Sequence, residues 1–176
     1  DPRSHNKALL TSGNRPLRLN RVLLVTNIID SHVHVYPKEI SVNPALWAAS
    51  QSEVHWGRLV TPGKGRSSLQ GWADINDLLC EMDRAGIEQA VLQGWYWENQ
   101  ETCDFQNKYY ASCLRAHPDR ISAFATVCPV AGRAALEAIR RAREEGFLGL
   151  GELCPQVQGG SLRDPKWVEA MTLAAE

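Results

Sequence analysis

Residues 121–129 read Ile-Ser-Ala-Phe-Ala-Thr-Val-Cys-Pro, ISAFATVCP. Small or apolar residues fill both alternating sets of positions, so neither face of the extended chain is marked for water. A strand with one wet face alternates polar and apolar residues. A nearly continuous run is instead the pattern of a strand covered on both faces, as in a parallel sheet layered with helices.

The flanking segments agree. GRAALEAIRRAREEG (132–146) is the clearest helix, with opposite charges at i,i+4 in Glu137→Arg141, Arg140→Glu144 and Arg141→Glu145, and Gly146 as its stop. That charge run reads as a solvated face. On the amino side, residues 101–116 place Phe105, Tyr109 and Cys113 on one helical stripe, and Pro118 ends it. WADINDLLCEMDRAG (72–86) repeats Trp72, Ile75, Leu78, Leu79 and Met82 at helical spacing before Gly86. VLLVTNIID (22–30), IEQAVLQGW (87–95) and FLGLGELCP (147–155) read as further strands, with Gly149 and Gly151 permitting a neighbour's close approach. Asp164-Pro165 is an N-cap and first-turn proline opening a last helix. The order βαβαβαβα predicts a parallel α/β sheet with crossover helices, whose sites gather at the carboxyl ends of the strands.

Composition narrows the function. The chain has 176 residues, 44% hydrophobic and 22% charged, with a formal net charge of −1. That suits one domain with a real core. It argues against nucleic acid as a partner, and no run is apolar and long enough for a membrane span. Five cysteines without a CxxC pair read as reduced thiols, which favours the cytoplasm. Cys154 alone lies near a candidate site. Residues 1–20 carry several basic residues and no apolar period, and read as a flexible leader, with His5 inert; residues 21–176 form the domain.

The chemistry concentrates in IDSHVHVYP (29–37). Alternate residues of a strand share a face, so Asp30, His32 and His34 line one side at the end of the first strand. Two imidazoles presented together can hold one divalent ion such as zinc, iron or nickel, and Asp30 is placed to orient a ligand histidine. Ordinary strand-end polar residues are the alternative. Glu152, at the end of the fourth strand and beside Gly151, lies on the same rim, where an unpaired carboxylate is costly. His32, His34 and Glu152 would give three protein ligands and leave a place for water. Trp95 and Trp97, after the second strand, are candidates to wall a substrate pocket. The segment 37–71 is a candidate lid; His55 and His117 read as packing and helix-end residues, and Gln156 and Gln158 as weak substrate contacts.

IIDSHVHVYP, HPDRISAFATVCP and GFLGLGELCP, in this order and spacing, resemble the amidohydrolase superfamily, in its amidohydrolase-related branch of metal-dependent hydrolases and decarboxylases. The resemblance runs from about residue 22 to 176. It implies a (β/α)8 TIM-type barrel with a divalent metal, zinc above others, at the carboxyl rim. It carries the first-strand histidines onto His32 and His34 and the fourth-strand glutamate onto Glu152. The family's later histidines and its proton-accepting aspartate have no counterpart in these residues, so the amino-terminal half of a barrel is expected, incomplete by itself unless copies pair.

The implied activity is hydrolysis of a C–N or C–O bond in a small-molecule substrate by metal-activated water. Nonoxidative decarboxylation and a truncated, non-catalytic binding module are the alternatives. A homo-oligomer is a further expectation, and a flavodoxin-like open sheet fits the element order but leaves IDSHVHVYP unexplained.

Overall fold

The computed structural model describes residues 27–176 apart from positions 66 and 69. The leader and His5 lie outside the described residues. Four parallel strands, β1 (Ile29–Val33), β2 (Gln89–Gln93), β3 (Ile121–Ala125) and β4 (Gly149–Leu150), stand side by side in sequence order. Ala90 pairs with Ile121 and Leu92 with Ala123. The strand expected over 22–30 is described from Ile29 and extends to Val33, with a register shift against β2 between Asp30 and Val33, where His32 lies; residues 22–26 are outside the described residues. In β3, Ala123 and Ala125 are fully buried, as its apolar run requires.

Helix α4 (Ile75–Ala85) starts on a capping box: the Asp74 carboxylate accepts from the N–H groups of Asn76 and Asp77, and Asp77 accepts in return from Asp74 N–H. It ends on Gly86 in the left-handed conformation (φ 72°), which a side chain would disfavour. Leu78 and Met82 pack with Val35, Leu92, Tyr110 and Ala123 beneath the sheet.

Helix α5 (Gln100–Ala116) buries Cys113 and packs Tyr109 against the core as expected, and departs from the expected stripe at Phe105. Phe105 is exposed, whereas Cys103, Gln106, Tyr110 and Cys113 are buried. Polar residues hold that face: Asn107 bonds both the carbonyl and the N–H of Thr126 (2.7 and 2.9 Å), and Gln106 accepts from Trp95 N–H and Trp97 Nε1–H (both 2.7 Å). An apolar count cannot see a helix face chosen by hydrogen bonds.

On α6 (Arg133–Glu144), the ion pairs also differ from those expected. Glu137 pairs back to Arg133 (2.8 Å) and Arg141 reaches Asp104 on α5 (3.1 Å). Exposed pairs are nearly isoenergetic, so the choice among them carries little weight. The apolar side of α6 packs on α8 (Pro165–Ala174), which Asp164 caps through Lys166 N–H (2.9 Å). A single helical turn, α7 (Pro155–Gln158), follows β4.

Residues 37–71 are not a plain loop. They form α1 (Lys38–Val42), α2 (Pro44–Ser50) and α3 (Val54–Val60), gathered around Trp56. Its ring lies 5.1 Å from Trp97, 5.5 Å from Trp47, 5.8 Å from Tyr36 and 6.0 Å from Trp72, between centroids. The buried Glu53 carboxylate anchors this aromatic cap to the loop after β2. It accepts from Glu98 N–H (2.8 Å) and Asn99 N–H (3.2 Å), while Glu98 accepts from His55 N–H (2.6 Å). The cap thus stands against Trp95-Tyr96-Trp97, beside the carboxyl ends of the strands.

Candidate metal centre

His34 follows β1 and is held by the end of β2. Its Nδ1 lies 2.8 Å from the Gln93 carbonyl. A carbonyl only accepts, so Nδ1 carries the proton and Nε2 presents a bare lone pair. Burial lowers the His34 pKa, while the Gln93 carbonyl and the Glu152 carboxylate act the other way. The ring is mostly covered, and Trp95 meets it edge-on at 5.3 Å. His32, on β1 itself, is the more open of the two.

Glu152 reaches the pair from the end of β4. Its N–H donates to the Gly94 carbonyl, which ties the ends of β2 and β4 together. A Cβ at Gly94 would stand 2.7 Å from Thr126 Cβ and 2.9 Å from the Gly151 carbonyl oxygen, so no side chain fits there. At Gly151 a Cβ would crowd Gln93 Oε1 at 3.0 Å and the Phe124 ring at 3.3 Å, as close packing of this strand end demands.

These constraints bring three ligand side chains together. His32 Nε2 lies 3.0 Å from Glu152 Oε1 and 3.2 Å from His34 Nε2, and His34 Nε2 lies 3.9 Å from Glu152 Oε2. Ligands at about 2.0–2.2 Å from one metal, at tetrahedral to octahedral angles, stand roughly 2.8–3.6 Å apart. Two imidazole lone pairs and a carboxylate repel one another unless a cation or proton sits among them. The donor set suits a divalent ion, and both distances from His32 fall in this range, while the 3.9 Å between His34 and Glu152 lies just beyond it.

The other sequence candidates divide. Asp30 accepts from the main-chain N–H of His32 (3.2 Å), so it holds backbone rather than an imidazole. Trp95 abuts His34, but Trp97 is 1% exposed, with its ring inside the aromatic cap. Tyr96, half-buried, stacks on Trp95 at 4.4 Å and is the more open aromatic of the three. Gln158 is buried as a brace, donating to the carbonyls of Trp97 (3.0 Å) and Val127 (2.8 Å). Gln156 is exposed beside Cys154, with 3.5 Å between Oε1 and Sγ. His55 packs near Tyr96 (5.8 Å), and His117 caps the end of α5. The Gln93 carbonyl was not legible, because a main-chain acceptor has no residue-type signal.

A family model described as Amidohydrolase (Amidohydro_2) matches residues 29–176. The chain belongs to the amidohydrolase family. Comparison of this amidohydrolase with curated protein sequences gives no significant match. Among solved structures it is similar to 5-carboxyvanillate decarboxylase from Novosphingobium aromaticivorans with bound manganese (TM-score 0.62, 18% identity, covering 86% of this chain and 49% of that one). It is also similar to the same enzyme from Sphingomonas paucimobilis (0.58, 21%, 84% and 48%). A third is a probable 2-pyrone-4,6-dicarboxylic acid hydrolase from Acinetobacter baumannii with citric acid bound (0.53, 15%, 84% and 45%). The chain spans about half the length of these structures. Its four β/α units form part of a TIM-type barrel, with His32, His34 and Glu152 at the carboxyl rim. Among the described residues no helix is long and apolar enough to cross a membrane.

Proposed function

We propose that this amidohydrolase is a metal-dependent hydrolase of a small organic molecule, holding zinc through His32, His34 and Glu152. The observation that carries the reading is the convergence of these ligand atoms, all within 4.8 Å of one another, at the end of parallel strands. Two imidazoles and one carboxylate suit zinc, though manganese, bound in one structural relative, is a hard-ligand competitor. When bound, the ion supplies Lewis acidity, lowering the pKa of a coordinated water and polarising a substrate oxygen. His34 contributes a neutral ring with its ε lone pair fixed by the Gln93 carbonyl. Glu152 offsets part of the ionic charge, and Trp95 excludes water from the inner side of His34. Free cysteines throughout support a reducing compartment, and we place the protein in the cytoplasm.

Nonoxidative decarboxylation is the second reading, favoured by the likeness of fold to two 5-carboxyvanillate decarboxylases. One experiment separates the two. The full-length protein, purified with its metal, is given ester, lactone and amide substrates and carboxylated aromatics in 18O-water. Hydrolysis puts 18O into the acid product. Decarboxylation releases carbon dioxide and leaves the retained product unlabelled. The expected metal content is near stoichiometric in the wild type and lost in His32→Ala; equal content in both would overturn either reading.

A further inference from the structure

Glu152 is aimed differently from His34. The Gln93 carbonyl turns the His34 ring, but among the described residues the Glu152 carboxylate has no polar partner besides the two imidazoles. Its aim therefore comes from the chain on either side. Upstream, the Glu152 N–H is bonded to the Gly94 carbonyl. Downstream, one residue grips both main-chain polar groups of Cys154. The Cys154 N–H donates to Gln158 Oε1 (3.0 Å), and the Gln158 N–H donates to the Cys154 carbonyl (2.9 Å).

The other end of the Gln158 amide reaches two further strand ends. Its Nε2 donates to the carbonyls of Trp97 (3.0 Å) and Val127 (2.8 Å), which lie beyond the ends of β2 and β3. One side chain, 2% exposed, thus joins the segments leaving β2, β3 and β4. Two carbonyls that only accept and one N–H that only donates need a side chain carrying both kinds of group, and they fix which end of the amide is nitrogen. An aliphatic residue would take a partner from all three, and a glutamate would set a carboxylate against two carbonyl oxygens. With both amide protons committed, Gln158 has no donor left for a substrate. Gln93, Gly94 and Trp97 lie in one segment, so His34 and Glu152 are both held to the same piece of backbone.

We propose that Gln158 is the positioning residue for Glu152: by locking residue 154 to the ends of β2 and β3, it holds the carboxylate where the imidazoles converge. This rests on the metal-dependent reading above and adds to it a residue that touches neither metal nor substrate.

The test uses the full-length protein loaded with cobalt(II), whose visible bands follow the number and geometry of its ligands, and a zinc titration against a chromophoric chelator. Gln158→Met keeps the side-chain length and removes every polar contact. Its zinc affinity falls about tenfold, as loss of an outer partner of a metal ligand does, and its cobalt bands shift. Met82→Ala, destabilised in the layer beneath the sheet, keeps the wild-type bands. Gln158→Asn, its amide one methylene short of the same partners, repeats the losses and serves as the reading variant should Gln158→Met not fold. Wild-type bands and affinity in a folded Gln158 variant would assign the aim of Glu152 to the packing of Leu153 against Val127 and Ala138, and overturn the proposal. An equal shift in Met82→Ala would overturn it too, because the bands would then follow stability. A wild type that binds neither ion fails earlier and removes the reading beneath the proposal.

Discussion

The layer under the sheet and the aromatic cap beside its rim are built by different rules. Beneath β1–β3, Leu78, Met82, Leu92 and Ala123 fill space with aliphatic side chains, and Tyr110 gives its hydroxyl proton to the Gln93 carbonyl at 2.9 Å. The cap around Trp56 adds indoles and phenols to Ile40, Ala48 and Val60, and Tyr36 Oη, Trp56 Nε1 and Trp95 Nε1 have no hydrogen-bond partner among the described residues. One region is internally satisfied and carries the fold. The other retains open hydrogen-bonding valence beside the rim from which the candidate metal ligands emerge.

The sharpest way to break this contrast is to hollow out each region in turn. Trp56→Ala should cost about 3–5 kcal/mol and Met82→Ala about 2–5 kcal/mol in denaturant unfolding, since both side chains are 1% exposed. Trp56→Ala should also weaken metal binding more than Met82→Ala does, because its ring supports Trp97 and the loop carrying Trp95 directly. Equal metal affinity in the two variants would make the cap a passive cover.

Gly94→Ala tests the seam between the regions. Forcing a Cβ against Thr126 should cost about 1–3 kcal/mol. It should lower metal affinity as well, since Glu152 is bonded to the Gly94 carbonyl. Titration with zinc and thermal unfolding read the two effects separately.

The acids of the two regions should titrate with opposite sign. Burial raises the Glu53 pKa above its ordinary 4.5, so the folded state binds the proton more tightly than the unfolded chain. Its contribution is full below 4.5 and is lost as pH rises through the elevated folded value. Relative to Glu53→Gln, the wild type should therefore gain stability as pH falls through that window. Asp74 is the reverse: its bond from Asp77 N–H, the largest cause, and Lys38 hold its carboxyl below 3.8. Its contribution is present above 3.8 and fades as pH falls through the lower folded value. Asp74→Ala should cost about 1 kcal/mol at neutral pH, as loss of an N-cap does. Urea unfolding between pH 3 and 7, compared with the variants, checks both signs.

These differences also explain what was legible in sequence. Helix α4 announces itself through the spacing of Ile75, Leu78 and Met82 and through Gly86, all local signals; its start at Ile75 on the Asp74 cap, rather than at Trp72, was not read. β3 does so through its unbroken small and apolar run. The helices of the cap do not: α1, α2 and α3 span five to seven residues each, too short to be stable on their own, and exist because distant tryptophans meet around Trp56. Spacing put His32 and His34 two residues apart at the end of one strand, and the strand order put Glu152 on the same rim; the alternation expected to include Asp30 is interrupted by a register shift between Asp30 and Val33. The role of Asp30 was not readable, because a turn of backbone decided which N–H its carboxylate met. Nor was the interior position of Trp97, which depends on Gln106 from a helix face that carries its polar residues inward.

The Gln93 carbonyl accepts from both His34 Nδ1 and Tyr110 Oη. Because that oxygen belongs to the main chain, every residue type at position 93 supplies it. A survey of variants would score the position as permissive while the atom that sets the ligand's tautomer stays in place. The same grip is vulnerable from afar: the helix face bearing Tyr110 shares the carbonyl with His34, so drift in that distant packing reaches the candidate metal site through an atom that substitution at 93 never removes.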